Sequence, residues 1–499
     1  MKTLKLGTRR SLLAWAQSQW VARQVERLNP EIRVELVGIE TQGDRIQDIP
    51  LSKIEGKEFF VAELDQALAT EQVDFSVHSL KDLSLERPAE FTIAAIPERE
   101  DPRDWMIVRR GTFEIRNRKI KIGTSSPRRI ENLIPFFERA YPDLQFEMVE
   151  IRGNVNGRLA RVHLSEQSPK HCDGVILAAA GLNRLWADDK ARLELEVLFQ
   201  QTDTVVLPLD QNPTAPGQGA LAVECRKKDL ETVRALARLH HEPSRLEIGF
   251  EREVLAHFGG GCHQRFGATQ TDGRLIVLGR APDGSAIREK NWNAESSQSP
   301  AMDWDGSAWN QKLWVANHPL AVEIPSCEGR LVFVAHSRAL EVLGWDRARA
   351  LLSKSQVWVS GFSSWKKLAA ESIRVSGSTE GQGFATLQSW THSRETLRLP
   401  EMSEWLVLTH RDGLGDWKDE PGSPQVIATY SSEYRELSPE EQSELAQARK
   451  IFWASGSQYR RLSHWVSDRA QHFCGPGKTL EFLKKQGKNP QVIHEWERI

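Results

Sequence analysis

The chain begins "MKTLKLGTRRSLLAWAQ", with no apolar run of signal-peptide length, and no window approaches a membrane span. Cysteine is scarce: five residues, Cys172, Cys225, Cys262, Cys327 and Cys474, scattered over 499 positions. An odd, widely spaced set fits a reducing compartment better than a disulfide framework, and no pair has zinc-ligand spacing, so no metal site is expected. These absences predict a cytoplasmic protein. Charge of one sign is lacking too. The formal net charge is −2, so no global positive field argues for nucleic acid, and any basic site must come from local clustering. "GPGKT" is not a phosphate-binding loop, because no glycine stands five residues before Gly477.

What is present describes an ordinary globular protein, 39% hydrophobic and 27% charged. Its length suggests about three domains at roughly 150 residues each. Tryptophan is uneven, with four of 17 before residue 290 and 13 after it. That shift implies two modules, joined through "NAESSQSPAMDWDGS" (293–307), whose Ser, Asn and Asp content reads as a linker.

Over the first 225 residues, short apolar runs alternate with helical patterns. "LKLGT" (4–8), "RVELVGIE" (33–40), "VDFSVHS" (73–79), "IKIGTSS" (120–126), "FEMVEIRG" (146–153) and "DGVILAAAG" (173–181) read as buried strands. The alternation predicts parallel α/β sheets with ligand loops at the strand ends. "TQGDRIQDIPLSKIEGKEFF" (41–60) has turn residues and charges but little periodicity, and reads as a lid-like loop. Residues 226–290 read as a helix, a glycine run and two strands joined through "PDGS", a small α+β unit. Further on, "RLVFVAHS" and "QVWVSGFSSWKKL" resemble "RKIFWASGS" and "QHFCGPGKTLEFL", a faint repeat that predicts two similar α/β half-domains.

Arginines gather at the predicted strand ends. "GTRRS" holds Arg9, Arg10 and Ser11; "GTSSPRR" holds Ser126, Arg128 and Arg129; "RGNVNGR" holds Arg152 and Arg158; "AAGLNR" holds Arg184. In "GTSSPRR" a serine can cap a helix whose first turn starts at Pro127, and free N–H groups beside two guanidiniums suit an anion. Arginine forks bind carboxylates two bonds at a time, so the clusters point to a polyanionic ligand. "HSLKDLS" (78–84) sets Lys81 beside Asp82, either a surface ion pair or an acid that moves protons and stabilises a developing cation. "GGGCHQR" (259–265) puts Cys262 behind three glycines. A lone cysteine is ordinarily a small buried hydrophobe, but the glycines suggest close approach of a ligand to the backbone.

"GTRRS", "GDRIQD", "HSLKD", "REDPRD", "GTSSPRR", "RGNVNGR", "AAAGLNR", "PGQGAL" and "GGC" follow in the order and approximate spacing of the porphobilinogen deaminases, also called hydroxymethylbilane synthases. The resemblance covers residues 1 to about 290. It implies two periplasmic-binding-protein-like α/β domains (1–100 with 204–225, and 101–203) and a small α+β cysteine-bearing domain (226–295). It implies a dipyrromethane cofactor in thioether linkage to Cys262, and head-to-tail addition of four porphobilinogens with loss of ammonia. By the same resemblance Asp82 is the catalytic carboxylate, and Lys81, Ser126, Arg128, Arg129 and Arg158 hold the cofactor with it. Arg9, Ser11, Arg152 and Arg184 receive substrate and growing chain, Asp44, Lys53 and Lys57 lie in the active-site loop, and Gln218 and Gly219 mark the return into the first domain. The sequence departs from the family at Pro127, in "GCHQRFG", and after "HSLKD", where a proline is lost; no reactive group is removed.

Residues 310–499 resemble the uroporphyrinogen III synthases, which close hydroxymethylbilane with inversion of the last ring, through the paired half-domains, "VLTHRDGLGDW", "VIATYSSEYREL" and "FWASGS". The implied fold is a two-lobed α/β module with a shortened first segment, "KLWVANH" being its remnant, and Ser455, Ser457, Thr479 and Tyr430 as candidate contacts. The expectation is a monomeric, bifunctional tetrapyrrole enzyme acting on a small molecule, with no nucleic-acid or membrane partner. Two other readings stay open: a deaminase with a non-catalytic C-terminal module, and a clamshell protein that binds an anion without turning it over.

Overall fold

A computed structural model describes residues 1–41, 61–116, 118–260, 264–271, 273–289, 301–418, 420, 422–475 and 477–493. Asp44, Lys53, Lys57 and Cys262 lie outside the described residues. The chain divides into two compact units. The first takes Met1–Glu138, Leu144–Asn293 and Glu395–Leu397; the second takes Arg139–Asp143, Ala294–Arg394 and Arg398–Ile499. Among the described residues no helix is long and apolar enough to cross a membrane.

The first unit holds two five-stranded sheets of one design. One contains β1 (Lys2–Arg9), β2 (Ile32–Ile39), β3 (Phe75–Ser79), β4 (Phe91–Ala95) and β10 (Leu221–Arg226) in the order β2-β1-β3-β10-β4. The other contains β5 (Asp104–Arg109), β6 (Ile120–Gly123), β7 (Phe146–Val149), β8 (Gly174–Ala178) and β9 (Thr202–Val206) in the order β7-β6-β8-β5-β9. The sheets are mixed, not parallel throughout as the alternation predicts. β1 runs parallel to β2 and β3, and β6 to β7 and β8, but β10 is antiparallel to β3 and β4, and β5 to β8 and β9. The reason is the route of the chain. β5 and β10 are the first strands after each crossing between sheets. Leu221 pairs with Ser79 and Asp104 with Ala178, so each crossing lands at the carboxyl end of the parallel strands. The crossings therefore meet the loops that carry the arginine motifs. β9 pairs with β5 through Val206, so the second sheet runs past the boundary expected at residue 203.

Local chemistry explains the elements that present the site. Helix Leu12–Leu28 starts at Ser11, whose Oγ accepts the Ala14 N–H at 3.4 Å, and buries Ala16, Val21, Ala22 and Val25 at helical spacing. Val21 and Val25 are fully buried, and each contributes about 1.5–3 kcal/mol. Helix Pro127–Ala140 has proline at its first position, and Ser126 Oγ accepts the Arg129 N–H at 3.4 Å.

Helix Glu242–His257 packs Val254 and Leu255 against Phe266 and Val277 of a three-stranded antiparallel sheet: β11 (Arg265–Thr271), β12 (Arg274–Arg280) and β13 (Ala286–Glu289). The helix ends at two of the three glycines. Gly259 donates to the Ala256 carbonyl at 3.0 Å and Gly260 to the Leu255 carbonyl at 2.8 Å, with φ of 82° and 71°. This is a Schellman cap, which needs the left-handed backbone. A Cβ on Gly259 would meet nothing within 4 Å. These two glycines thus serve helix termination, a demand for glycine that stands whether or not a ligand approaches the backbone.

The second unit has two sheets. β14 (Trp304–Asp305) lies in a four-stranded parallel sheet with β21 (Lys450–Trp453), β22 (Gln471–Cys474) and β23 (Gln491–Val492). The six-stranded sheet contains β15 (Trp314–Pro319), β16 (Leu331–Val334), β17 (Gln356–Val359), β18 (Val375–Ser378), β19 (Leu406–His410) and β20 (Gln425–Tyr434), ordered β15-β20-β19-β16-β17-β18. The faint repeat corresponds to the parallel pairs β16/β17 and β21/β22, each followed by a helix, Phe362–Ala370 and Lys478–Lys485. Two sequence readings change. Residues 301–307 are not linker: Asp303 accepts the Arg449 and Lys450 N–H groups, and Trp304 starts β14. "KLWVANH" is not the remnant of the short lobe, because Trp314–Pro319 pairs antiparallel with β20, and β14 with helix Gly306–Leu313 fills that place.

Among the described residues most of the excess tryptophan is core, whereas Trp314 and Trp465 are exposed. Trp304, Trp309 and Trp453 cluster in one lobe; Trp358, Trp390 and Trp405 pack edge-on in the other.

Candidate active site

Lys81 and Asp82 sit on a single 3-10 turn, Leu80–Asp82, directly after β3. Leu80 is buried and anchors the turn, which leaves Lys81 half-buried and Asp82 exposed. The Lys81 ammonium donates to Gln218 Oε1 at 3.3 Å. Gln218 in turn donates through Nε2 to the Pro102 carbonyl at 2.6 Å and to Asp104 Oδ1 at 2.9 Å. Burial lowers the Lys81 pKa and the neighbouring Asp82 opposes that shift, while Arg129 lowers it further.

Asp104 is the hub. It is fully buried and accepts five hydrogen bonds: from Arg128 Nη2 at 2.8 Å, Arg129 Nη2 at 2.6 Å and Nε at 3.1 Å, Asn212 Nδ2 at 3.0 Å, and Gln218. Burial alone would raise its pKa, but the two guanidiniums outweigh burial and hold it well below the usual carboxylate range. Arg128 also donates to the Pro213 carbonyl at 2.8 Å, and Arg129 to the Ile176 carbonyl at 2.7 Å. Arg128 and Arg129, expected as ligands of a bound carboxylate, are thus each engaged by a carboxylate of the protein. Two guanidiniums against one carboxylate leave a net positive charge there.

Arg158 lies in the short helix Val155–Ala160, whose cap is Asn154, and its Nε donates to the Gly153 carbonyl at 2.8 Å. Burial, then Arg129, Arg152 and Arg161, pull its pKa down to about 10, with Asp82 opposing. Arg152 Nε and Nη2 and Arg128 Nε are buried and have no hydrogen-bond partner among the described residues. Such donors cost about 1–3 kcal/mol each when left unsatisfied, and an anionic ligand would satisfy them. Lys81, Asp82, Arg128, Arg129, Arg152 and Arg158 therefore form one electrostatically coupled group, rich in cations and donors, which fits a polycarboxylate such as dipyrromethane.

Arg184, in helix Ala179–Trp186, donates to the Gly219 carbonyl at 2.6 Å, and burial takes its pKa to about 10 against the pull of Glu100. Arg9 ends β1, and Ser11 caps the following helix. Gly219 has φ of 89°, and a Cβ there would run into the Glu100 carbonyl oxygen. The motif reading missed the roles of Asp104 and Gln218. It also missed Arg99, which forms a bidentate pair with buried Glu251 at 2.7 and 2.9 Å. Each was a charged or amide residue inside a quoted motif or helix, without a local partner to betray it.

Asp65, His78 and Glu224 offer metal-ligand geometry. Arg87 takes the cation's place, donating to Asp65 at 2.6 Å and to Glu224 at 2.7 and 3.0 Å.

The family model "Porphobilinogen deaminase, dipyromethane cofactor binding domain" matches residues 4–234. A porphobilinogen deaminase of Brevibacillus brevis is 38% identical over 302 residues, 59% of this chain and 89% of that protein. One of Trichlorobacter lovleyi is 41% identical over 261 residues, 52% of this chain and 76% of that protein. A solved uroporphyrinogen-III synthetase from Helicobacter pylori aligns with 36% of this chain and 83% of its own, at 13% identity and a TM-score of 0.24. That score is too low to establish a shared fold, so the second unit is interpreted from its own strands. By its N-terminal half, the chain belongs to the porphobilinogen deaminase family.

Proposed function

We propose that the first unit carries a dipyrromethane on Cys262 and uses Asp82 to add porphobilinogen units to it. The bound group would supply the terminal pyrrole carbon that accepts each incoming unit. The coupled cations account for the rest. Each added pyrrole brings two carboxylates, and Arg128, Arg129, Arg152 and Arg158 offer positive charge to a chain that grows more anionic with each addition. Asp82 is the one exposed carboxylate in that group. It accepts pyrrole N–H groups and stabilises the positive charge that develops as ammonia leaves. Lys81, tied to Gln218, holds its ammonium beside Asp82 and the cofactor carboxylates. Arg9 and Ser11, at the end of β1, and Arg184, in the helix after β8, receive substrate. The observation that carries the reading is the excess of buried, unsatisfied guanidinium donors around one exposed acid.

The test is the intact mass. Expression in cells that make porphobilinogen should give a protein heavier than its sequence by one dipyrromethane, and Cys262→Ser should remove the excess. A bare mass for the unsubstituted protein overturns the assignment.

We further propose that the second unit is a uroporphyrinogen III synthase that closes the released hydroxymethylbilane. Two α/β sheets, parallel apart from β15, the smaller one entered by the chain both before and after the larger, support this reading, as do the sequence motifs at 407–417 and 426–437. Fusion would spare an intermediate that closes spontaneously to the wrong isomer. Incubation with porphobilinogen decides: type III uroporphyrinogen supports the synthase, and type I alone leaves a deaminase with a non-catalytic second unit.

A further inference from the structure

In the six-stranded sheet the chain lays β16, β17 and β18 outward in one direction, then returns to place β19 and β20 on the other side of β16. The order reverses between β16 and β19. A crevice opens at the carboxyl ends of such strands, and open α/β sheets bind ligands there.

Four polar side chains stand at that point. Val334 and Leu408 are register partners, so His336 and His410, each two residues further on, stand at the carboxyl ends of adjacent strands, close enough for His410 to act on the charge of His336. His410 is in register with Tyr430 of β20, and their rings lie 5.8 Å apart. Arg338 follows directly, and its backbone N–H donates to His336 Nδ1 at 3.1 Å. That bond leaves the proton of a neutral imidazole on Nε2 as a donor, on a side chain that is exposed. Tyr430 is 3% exposed, whereas Arg338 and His410 are half-buried.

Among the described residues, the Arg338 guanidinium, the His410 ring and the Tyr430 hydroxyl have no hydrogen-bond or ion-pair partner. Neighbouring cations are engaged. Lys367 pairs with Glu341 at 2.8 Å and Arg460 with Asp416 at 2.9 Å. Burial lowers the His410 pKa, with Asp412 and Asp416 opposing and Arg460 and Arg338 adding to the shift, so the ring is neutral at pH 7. The crevice thus offers one guanidinium fork and neutral N–H and O–H donors, the complement of a carboxylate.

We infer that His336, Arg338, His410 and Tyr430 form a carboxylate-binding site that seats a side-chain carboxylate of the linear tetrapyrrole. The inference rests on the synthase reading of this unit, and the experiment separates the two. The full chain receives porphobilinogen, and the uroporphyrinogen isomers are resolved. In parallel, uroporphyrin, a stable eight-carboxylate porphyrin, is titrated by fluorescence. Arg338→Gln is expected to leave porphobilinogen consumption unchanged, to cut the type III share, and to weaken uroporphyrin binding about tenfold, the loss of one charge-assisted pair. Arg338→Lys should recover part of both. If the unsubstituted chain makes type III and Arg338→Gln matches it in isomer share and affinity, the site is overturned and the synthase reading survives. If the unsubstituted chain makes only type I, the synthase reading fails and the titration alone decides. Binding that weakens in Arg338→Gln then upholds a carboxylate site, and unchanged or undetectable binding removes it.

Discussion

Asp104 accepts both Nη2 and Nε of Arg129, at 2.6 and 3.1 Å, and the two residues are 0% and 6% exposed. Arg128 leans on the same carboxylate from helix Pro127–Ala140. Asp104→Asn removes the charge and keeps the shape, which leaves two buried guanidiniums facing a neutral amide. Breaking a buried pair in this way costs about 3–5 kcal/mol. Denaturant unfolding should show a loss of that size, and intact mass should show reduced cofactor loading. Unchanged stability and loading would remove Asp104 from the centre of the site.

Gly219 tests the crossing between the sheets. Its φ of 89° and the Glu100 carbonyl beside it leave no room for a side chain. Gly219→Ala should cost about 1–2 kcal/mol for the backbone alone, and more for the clash. Because the Gly219 carbonyl accepts from Arg184, turnover should fall together with stability. A variant with the parent's melting temperature would show that the crossing can shift.

His78 gives a pH signature. It is buried, its Nε2 is 2.8 Å from Ser76 Oγ, and burial followed by Arg87 and Arg9 lowers its pKa from 6.5 to about 3. The facing acids Glu224 and Asp65 are already claimed by Arg87. Above pH 6.5 neither folded nor unfolded chain protonates this ring, and its share of stability is intact. As pH falls through 6.5 the unfolded chain binds a proton that the folded chain refuses, and stability drops until about pH 3. The melting temperature should therefore fall less between pH 7.5 and 5 in His78→Gln than in the parent. Parallel pH profiles would contradict a neutral buried ring.

Asp82 separates chemistry from folding. It is exposed on its turn, so Asp82→Ala should melt within roughly 0.5 kcal/mol of the parent. Turnover should drop by about a hundredfold or more. Substantial residual turnover would move the acid role to another group.

The strands β1, β2, β3, β6, β7 and β8 were legible as apolar runs; β3 and β8, at the sheet centres, are buried on both faces, whereas the edge strands β2 and β7 are only half-buried, not the buried strands expected. Strand direction was not legible. "DWMIVR" of β5 is as buried as the neighbouring β8, and only the route of the crossing sets it antiparallel. The arginine clusters were legible as an anion site from their places after strands. Whether a given guanidinium was already matched could not be read, because Asp104 reaches Arg129, Asn212 and Gln218 across long stretches of chain. The glycines before Cys262 show the converse. The residue type was clear, yet a ligand and a helix cap both ask for glycine, and only the φ values of Gly259 and Gly260 reveal the cap.

β14 has a consequence for the order of assembly. Trp304 is the register partner of Ile451, and the chain of the entire six-stranded sheet lies between them. A chain made from its N-terminus can finish that larger sheet once Tyr434 has emerged, while Trp304 and Trp309 still lack Trp453, against which Trp304 packs. Closing so long a loop costs entropy before any contact repays it. Within this unit the small lobe is therefore the last to form, and Trp304 and Trp309 are the aromatic surface that the nascent chain exposes longest.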